Sequence, residues 1–510
     1  MPAVVDEPLF EDEAVTGLVA ARPLSDVLET VWDRGGAPAH FVLAYLALRV
    51  DPSAEAIRWI SVACALALVP VCVDLGRRVA GPVAGAVAGT TVATSGLLAI
   101  YGSFGRMYTL FALVAALAFD LFLRALRERT SRAVAAASAA AWLVVAVHPY
   151  GAFAVGAEAL VALALWRGRR PLRRAVPAAL AALAMVPFAV LDLRLANRFS
   201  VGVSGGSSIA GPDDALDQVR RAVQGFAGGS GVTLVVFLAL AAVGSYVLVR
   251  TRRDFAALTL LALGAAPLLF VLVRTGSNPD LSPRHLIYVL PLWSVVVGTG
   301  AARALARLPH AAQLAGVTAL AVVGLLAPAG VRDPRDTGYT QRVGSAGALA
   351  EPARWLRSTV DGGDVLYPYA SVYLAALPET GEALTLPRAQ PDPILSALEL
   401  ADFPVREAFV AVPAPGIRLQ AEGMRARLGP RFVVRRFEVW LLVRARGPLR
   451  SRAELLGAIV RVLTAARDEA QGSPRAPTRS YFGFNRRVLC EALRTLERPC
   501  ERADQPPDAP

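Results

Sequence analysis

The sequence has no lysine, so all 53 basic side chains are arginines. That is a bias of composition and excludes no class of function. Cysteine and histidine are scarce as well, at four each, and no metal-ligand spacing joins them. Cys64 and Cys72 fall inside an apolar run and read as small packing residues. His40, His148 and His285 match no zinc motif in their spacing. No leader stands at the start, because residues 1–13 are acidic rather than a basic region followed by an apolar one. No clear internal repeat is visible along the 510 residues.

What the chain has in excess is apolar surface. It is 55% hydrophobic with a mean hydropathy of +0.47, a balance that a soluble protein of this length rarely carries. Apolar runs of about 17–20 residues, the length that crosses a bilayer core, recur between positions 55 and 328. They predict ten membrane spans, near 55–75, 82–101, 107–125, 133–147, 150–166, 175–192, 232–250, 256–274, 286–303 and 310–328. The formal net charge of +12 would suggest nucleic acid for a soluble chain. Here the arginines sit in short clusters between apolar runs: Arg77 and Arg78; Arg124, Arg127, Arg129 and Arg132; Arg167 to Arg174; Arg250, Arg252 and Arg253. Clusters in alternate loops are the positive-inside pattern, and the reading is membrane lipid as partner and no nucleic acid.

With the clusters inside, the loops near 104, 148, 193–231 and 275–285 face outward. The first 54 residues and everything after about 330 face outward too. An outward N-terminus without a leader leads to the expectation that one span precedes the given start. Gly81, Gly85 and Gly89, four apart, are expected to let a neighbouring helix approach closely. Three parts follow: an acidic segment with amphipathic helices (1–54), a transmembrane domain (55–330) and an extracytoplasmic α/β domain with a disordered tail (331–510). In the last part Val365–Tyr369, Ala408–Val412 and Phe432–Val443 read as strands, and 351–360 and 451–470 as helices. Cys490 and Cys500 bracket a helical stretch there. A bond between them is permitted in that compartment, unless a helix holds their Cα atoms beyond ~7 Å.

Residues that could carry chemistry gather at the outward face. Glu11, Asp12 and Glu13 precede the apolar-periodic stretch Ala14–Ala21, and a short helix runs from an N-cap at Ser25 to Trp32. Asp33, Gly35, Gly36, Pro38 and His40 then lead into 41–50, too short to span and expected to lie at the interface. These acids either serve a site or keep the terminus in water. Arg106, in YGSFGRMY, stands at the mouth of a span; it either snorkels to the interface or meets a phosphate, which suits a guanidinium fork. His148 opens HPYG at another span end, and Arg284 and His285 open the span near 286. The loop 193–231, glycine-rich and then helical over Pro212–Phe226, is either a lid or a plain surface connection.

The order of these pieces resembles the GT-C glycosyltransferases, in particular the bacterial group of protein O-mannosyltransferases and lipid A aminoarabinose transferases. The resemblance covers roughly residues 10–330. It is carried by FEDEAVTGL with Asp12 and Glu13, DRGGAPAHF, GRMYTLFAL with Arg106 and Tyr108, and PRHLIYVLP with Arg284. It departs where Ala37 and Pro38 replace a two-proline turn and where Gly105 takes the place of an acid. The fold implied is mainly α: a polytopic transmembrane helical bundle of GT-C type with a C-terminal extracytoplasmic α/β domain.

The implied activity is transfer of a sugar from a polyprenyl-phosphate donor to a glycan, lipid or protein acceptor, with inversion. Asp12 is then the general base and Glu13 its support. Arg106, Tyr108 and Arg284 bind the donor phosphate. Asp33, His40, His148 and His285 orient substrate. No cofactor is required, although the acidic pair could take a divalent metal. The competing reading is a transporter or flippase for a lipid-linked or polar substrate. It would bring repeated halves and midplane charges, and neither is seen.

Overall fold

The computed structural model describes residues 11–34, 37–165, 176–199, 212–227, 231–272, 283–325, 346–387, 391–413, 420–470 and 476–500. In chain order its elements are α1 (Glu11–Ala20), α2 (Leu24–Arg34), α3 (Ala39–Val50), α4 (Ala54–Ala80), α5 (Pro82–Ala93), α6 (Gly96–Gly102), α7 (Tyr108–Glu128), α8 (Ser131–Val147), α9 (Gly151–Leu165), α10 (Val176–Phe199), α11 (Pro212–Phe226), α12 (Val232–Thr251), α13 (Arg253–Leu272), a 3-10 turn (Pro283–Val289), α14 (Leu290–Leu305) and α15 (His310–Leu325). They continue with α16 (Ala346–Arg357), β1 (Val365–Tyr367), α17 (Ser371–Leu374), α18 (Glu379–Glu382), β2 (Leu384–Thr385), α19 (Pro391–Glu399), β3 (Val405–Pro413), α20 (Ala421–Leu428), β4 (Phe432–Arg436), β5 (Trp440–Leu449), α21 (Arg452–Glu469) and α22 (Ala476–Thr495). The arginine cluster 167–174, the glycine-rich stretch 200–211, most of the loop 275–285 and the tail 505–510 lie outside the described residues.

The chain divides into two compact units. One holds residues 35–40 and 58–340; the other holds 2–34, 41–57 and 341–510.

The first unit is helical, and among the described residues each of the ten apolar segments falls on helix, the one near 286–303 opening as a 3-10 turn. Four stretches are long and apolar enough to cross a membrane: α4, α7, α12 and Pro283–Leu305; the bent pair α5–α6 brings the number to as many as five. α8, α9, α15 and the Val176–Asp192 part of α10 are apolar but shorter. The chain is a multi-pass membrane protein. The segment expected as one span over 82–101 is two helices meeting at 54°. The hydroxyl of Ser95 caps α6 by accepting from Leu98 N, and it donates to Gly225 O at 3.1 Å. A side chain that caps and also ties to α11 favours a break over a continuous helix.

The Pro283–Leu305 stretch is buried almost throughout and packs against α5 and α12. Glycine permits the approach: a methyl group at Gly244 would stand 1.9 Å from Val296 O, and one at Gly300 1.9 Å from Leu240 O. Gly85 and Gly89 give α4 the same access, with Val73 in the space a side chain would need. Gly81 has another task, as its φ of 92° starts α5. At one end of α4 and α7 the arginines of two clusters converge on two carboxylates. Arg77 pairs with Asp74 at 2.8 Å, Arg78 reaches Asp120 at 3.1 Å, and Arg124 also pairs with Asp120. The loops near 78 and 128 therefore share one end of the bundle.

The second unit is built on a five-stranded sheet of order β2-β1-β3-β5-β4. β1 lies parallel to β2 and β3, while β3–β5 and β5–β4 are antiparallel. Strand β3 is buried along nearly all of its length, as its apolar run AFVAV predicts for a central strand. The expected strand Phe432–Val443 is instead a hairpin: the chain reverses after Arg436, with Phe437 N bonded to Trp440 O at 2.7 Å. No glycine or proline marks that turn. α21 opens on Ser451, which accepts from Glu454 N, while the Glu454 carboxylate takes Arg450 N at 2.8 Å, a variant of the capping box. Helices α1 and α2 belong to this unit, where α1 packs on α17. α2 begins at Leu24, so Ser25 lies inside its first turn rather than at the cap. Cys490 and Cys500 are disulfide-bonded with Cα atoms 5.3 Å apart. The stretch between them is not one helix: α22 ends at Thr495 and the chain turns back at Glu497, φ 57°.

Candidate functional site

The basic and aromatic candidates of the first unit come together. Three chain segments supply them: the loop 103–107 before α7, the turn between α8 and α9, and the 3-10 turn ahead of α14. Pro291 explains that 3-10 turn. It has no N–H to give Ile287 O, so the α-helical pattern cannot run through it from before. Tyr288 anchors the turn by donating to Ala262 O at 2.6 Å. Arg284 and His285 sit on it and are buried.

Tyr108 is at the centre of the group. The Arg284 guanidinium stands 5.6 Å from its ring centroid, a cation–π distance. His148 lies 5.8 Å and His285 6.3 Å from the same ring, and the two imidazoles are 5.8 Å apart. The proton positions follow from the bonds. His148 Nδ1 accepts from Tyr150 N at 3.1 Å, which leaves its Nε2 as the donor. His285 Nε2 accepts from Arg284 Nε at 3.3 Å, so its proton is on Nδ1. His40, 1% exposed, approaches Gly105 O through Nε2 at 3.4 Å, next to Arg106 in the chain. Burial, reinforced by Arg106, pushes His40 down to about 3. Burial followed by Arg106 and Arg284 does the same to His148, at about 3. Both imidazoles are therefore neutral hydrogen-bonding groups beside fixed positive charge.

The sequence reading did not include several members of this group. Ser61 on α4 donates to Phe104 O at 2.6 Å and approaches Arg106 O at 3.1 Å, which holds the arginine loop. Phe111 stacks on His148 at 4.5 Å, and Tyr150 stacks on His285 at 4.6 Å. Tyr150 was within reach of the sequence, two residues after His148 in HPYG. Ser61 lies in an apolar run with nothing to distinguish it.

The acidic candidates belong to the second unit and are described within it. Glu13 is fully buried on α1, while Asp12, one residue earlier, is partly exposed. Thr16 donates to Asp12 O at 3.4 Å, a bond within the helix backbone that leaves the carboxylate aside. Of the two, Asp12 has the access that proton exchange with a substrate needs. Asp33, at the end of α2, is exposed and lines a small cavity of about 30 Å³ with Glu29, Tyr369 and Thr385. Among the described residues, no three His, Cys, Asp or Glu side chains gather as a metal-ligand set.

A helical membrane bundle with Arg284 and several aromatics buried together, on a chain with a sheet-bearing unit, has the fold of the GT-C glycosyltransferases. In particular it is similar to ArnT from Cupriavidus metallidurans in the apo state, with TM-score 0.57 and 14% identity over 88% of this chain and 96% of that one. The same protein bound to undecaprenyl phosphate gives TM-score 0.58 and 13% identity, with 88% and 96% covered. The apo oligosaccharyltransferase of Archaeoglobus fulgidus is a looser likeness, with TM-score 0.47 and 13% identity over 80% of this chain and 66% of that one. No protein-family model matches the sequence, and no curated protein matches it.

Proposed function

We propose that the protein is a membrane glycosyltransferase that takes a sugar from a polyprenyl-phosphate carrier and transfers it, with inversion, to an acceptor on the extracytoplasmic side. The observation that carries this reading is the buried grouping of Arg284 with Tyr108, His148 and His285, beside the loop of Arg106. It occurs in a fold for which ArnT is known bound to undecaprenyl phosphate. The arginine clusters between apolar segments support the sidedness.

In this scheme an acceptor hydroxyl oxygen attacks the anomeric carbon, and its proton passes to the Asp12 carboxylate. The bond from the anomeric carbon to the phosphate oxygen breaks, and the lipid phosphate leaves with the electron pair. Arg106 and Arg284 meet the charge that grows on that phosphate. In a site withdrawn from water, fixed guanidinium groups need no reorganisation as it develops. Neutral His148, with Nε2–H free to donate, orients the phosphate or sugar without adding a third positive charge. Glu13 holds the helix position of Asp12 from the buried side.

The test is transfer by the purified full-length protein from a panel of polyprenyl-phosphate sugars. Asp12→Asn is expected to abolish transfer with the protein still folded, and Arg106→Ala to weaken donor use by 10²–10³-fold, the usual effect of removing one transition-state donor. Full activity in Asp12→Asn would remove the base assignment. Failure of the wild-type protein to bind any polyprenyl phosphate would remove the reading as a whole.

A further inference from the structure

We propose that the second unit carries the acceptor site, and that this site takes an uncharged, hydroxyl-rich ligand, a sugar ring of a glycan, in preference to an anionic one. The word acceptor rests on the transferase reading above; the cavity and its chemistry do not.

The cavity holds about 450 Å³, a size typical of small-molecule sites. It lies where β1, β2 and β3 begin, since Val365, Leu384 and Val405 are the first residues of those strands and all line it. Its opposite wall is the turn between α1 and α2. Arg49 builds that wall by donating to Ala21 O at 3.0 Å and Arg22 O at 2.9 Å. The wall is therefore held by directed bonds rather than by loose packing.

The charges facing the cavity are unequal in their engagements. Arg22 is committed to Asp26 at 2.9 Å. Asp364 is fully buried and takes Arg406 at 3.2 Å. Glu382 and Asp402 also line the cavity, and neither has an ion-pair partner among the described residues. A smaller cavity shares Arg22, Leu384 and Leu400 with the first and adds Glu29, Asp33 and Thr385. Thr385 is 4% exposed, and its hydroxyl has no hydrogen-bond partner among the described residues. That smaller cavity, about 30 Å³, has room for water and not for a sugar ring, so a water there would link the buried Thr385 hydroxyl to a ligand in the larger one.

The combination selects a chemistry. Carboxylates accept hydrogen bonds from hydroxyl groups, a threonine hydroxyl gives or takes one through that water, and Leu384 and Leu400 offer an apolar face. A sugar ring has donors, acceptors and an apolar C–H face together. A phosphate or uronate would instead meet two free carboxylates, Glu382 and Asp402, against one guanidinium, Arg49, that is held on carbonyl oxygens and has no carboxylate partner among the described residues.

The experiment uses the full-length protein in lipid nanodiscs and saturation-transfer NMR. The probes are the methyl glycosides of glucose, galactose, mannose and arabinose, each beside its uronate or phosphate counterpart. At least one neutral glycoside is expected to bind, and more tightly than its anionic counterpart. The double variant Glu382→Gln/Asp402→Asn should weaken that binding at least 10-fold. Gly363→Phe should abolish it, because a side chain there starts with no atom within 4 Å and enters the cavity space. Undecaprenyl phosphate binding should be unchanged in both variants. The proposal is overturned if no neutral glycoside binds, if the anionic partners bind as tightly, or if the exposed double variant leaves affinity intact. Loss of undecaprenyl phosphate binding by the wild-type protein would instead count against the transferase reading alone.

Discussion

Ser61 holds Phe104: its hydroxyl donates to the Phe104 carbonyl at 2.6 Å from one helix away, and Arg106 is two residues on. Removing that hydroxyl frees the loop without touching the guanidinium. A net loss of ~1–1.5 kcal/mol is expected, which is roughly a 5–13-fold fall in kcat/KM for the donor in Ser61→Ala. Ser61→Thr, which keeps the hydroxyl, should restore the rate. Since the proposed function puts the donor phosphate at this loop, the loss should fall mainly on KM for the lipid donor. An equal loss for Ser61→Thr would show packing, not the bond, to be at work.

The two neutral imidazoles give the first unit an acid limit. In the unfolded chain both titrate at 6.5, whereas in the folded unit each is pushed to about 3. Below pH 6.5 the unfolded state binds protons that the folded one refuses, so stability is lost progressively as pH falls towards 3 and is insensitive to these groups above 6.5. Apparent Tm in detergent between pH 8 and 4.5 should show the decline. In His148→Asn, which cannot take the proton, the slope should be shallower. An unchanged slope would mean that His148 is not among the groups responsible.

Close helix approach makes another position sensitive. Gly244→Ala would press a methyl group to 1.9 Å from Val296 O, and backbone cannot step aside as a flexible side chain can. Overpacking of this kind costs about 1–3 kcal/mol. Gly156→Ala on α9 is the control, since nothing lies within 4 Å of it. Thermal unfolding should separate the two variants clearly, and equal Tm values would refute the contact.

The Cys490–Cys500 bond closes a short loop, with a sequence separation of 10. By chain entropy such a link is worth about 2–3 kcal/mol. Cys490→Ser/Cys500→Ser should lower the denaturation midpoint of the sheet-bearing unit without altering the proposed binding of a polyprenyl phosphate. Limited proteolysis near the C-terminus, compared with the wild type, would detect the change.

Much of this architecture could be read from the sequence, because span length and arginine placement are strong signals. The expected apolar segments fall on helix among the described residues, though the one over 82–101 is two helices and four, or up to five, stretches are long and apolar enough to cross a membrane; His148, Arg284 and His285 were recognisable as polar residues at span ends. Other features depend on partners distant in the chain. The break at Ser95 is tied to Gly225, 130 residues away, and no local pattern reports it. The hairpin after Arg436 lacks the glycine or proline that marks most turns. Ser61 looks like any small residue in an apolar helix until the loop it holds is in view. The cavity beneath β1, β2 and β3 is assembled from residues between positions 21 and 405, so it exists only in three dimensions.

Pro291 has a consequence beyond ending a hydrogen-bond ladder. A 3-10 turn advances about 120° per residue against about 100° in an α-helix. From Arg284 to Leu290 that difference accumulates to roughly 120°, a third of a revolution. The proline therefore acts as an angular setting for the two side chains ahead of it. Were the helix free to continue backwards through position 291, Arg284 and His285 would be carried around the axis and away from Tyr108, with every residue of the motif still present.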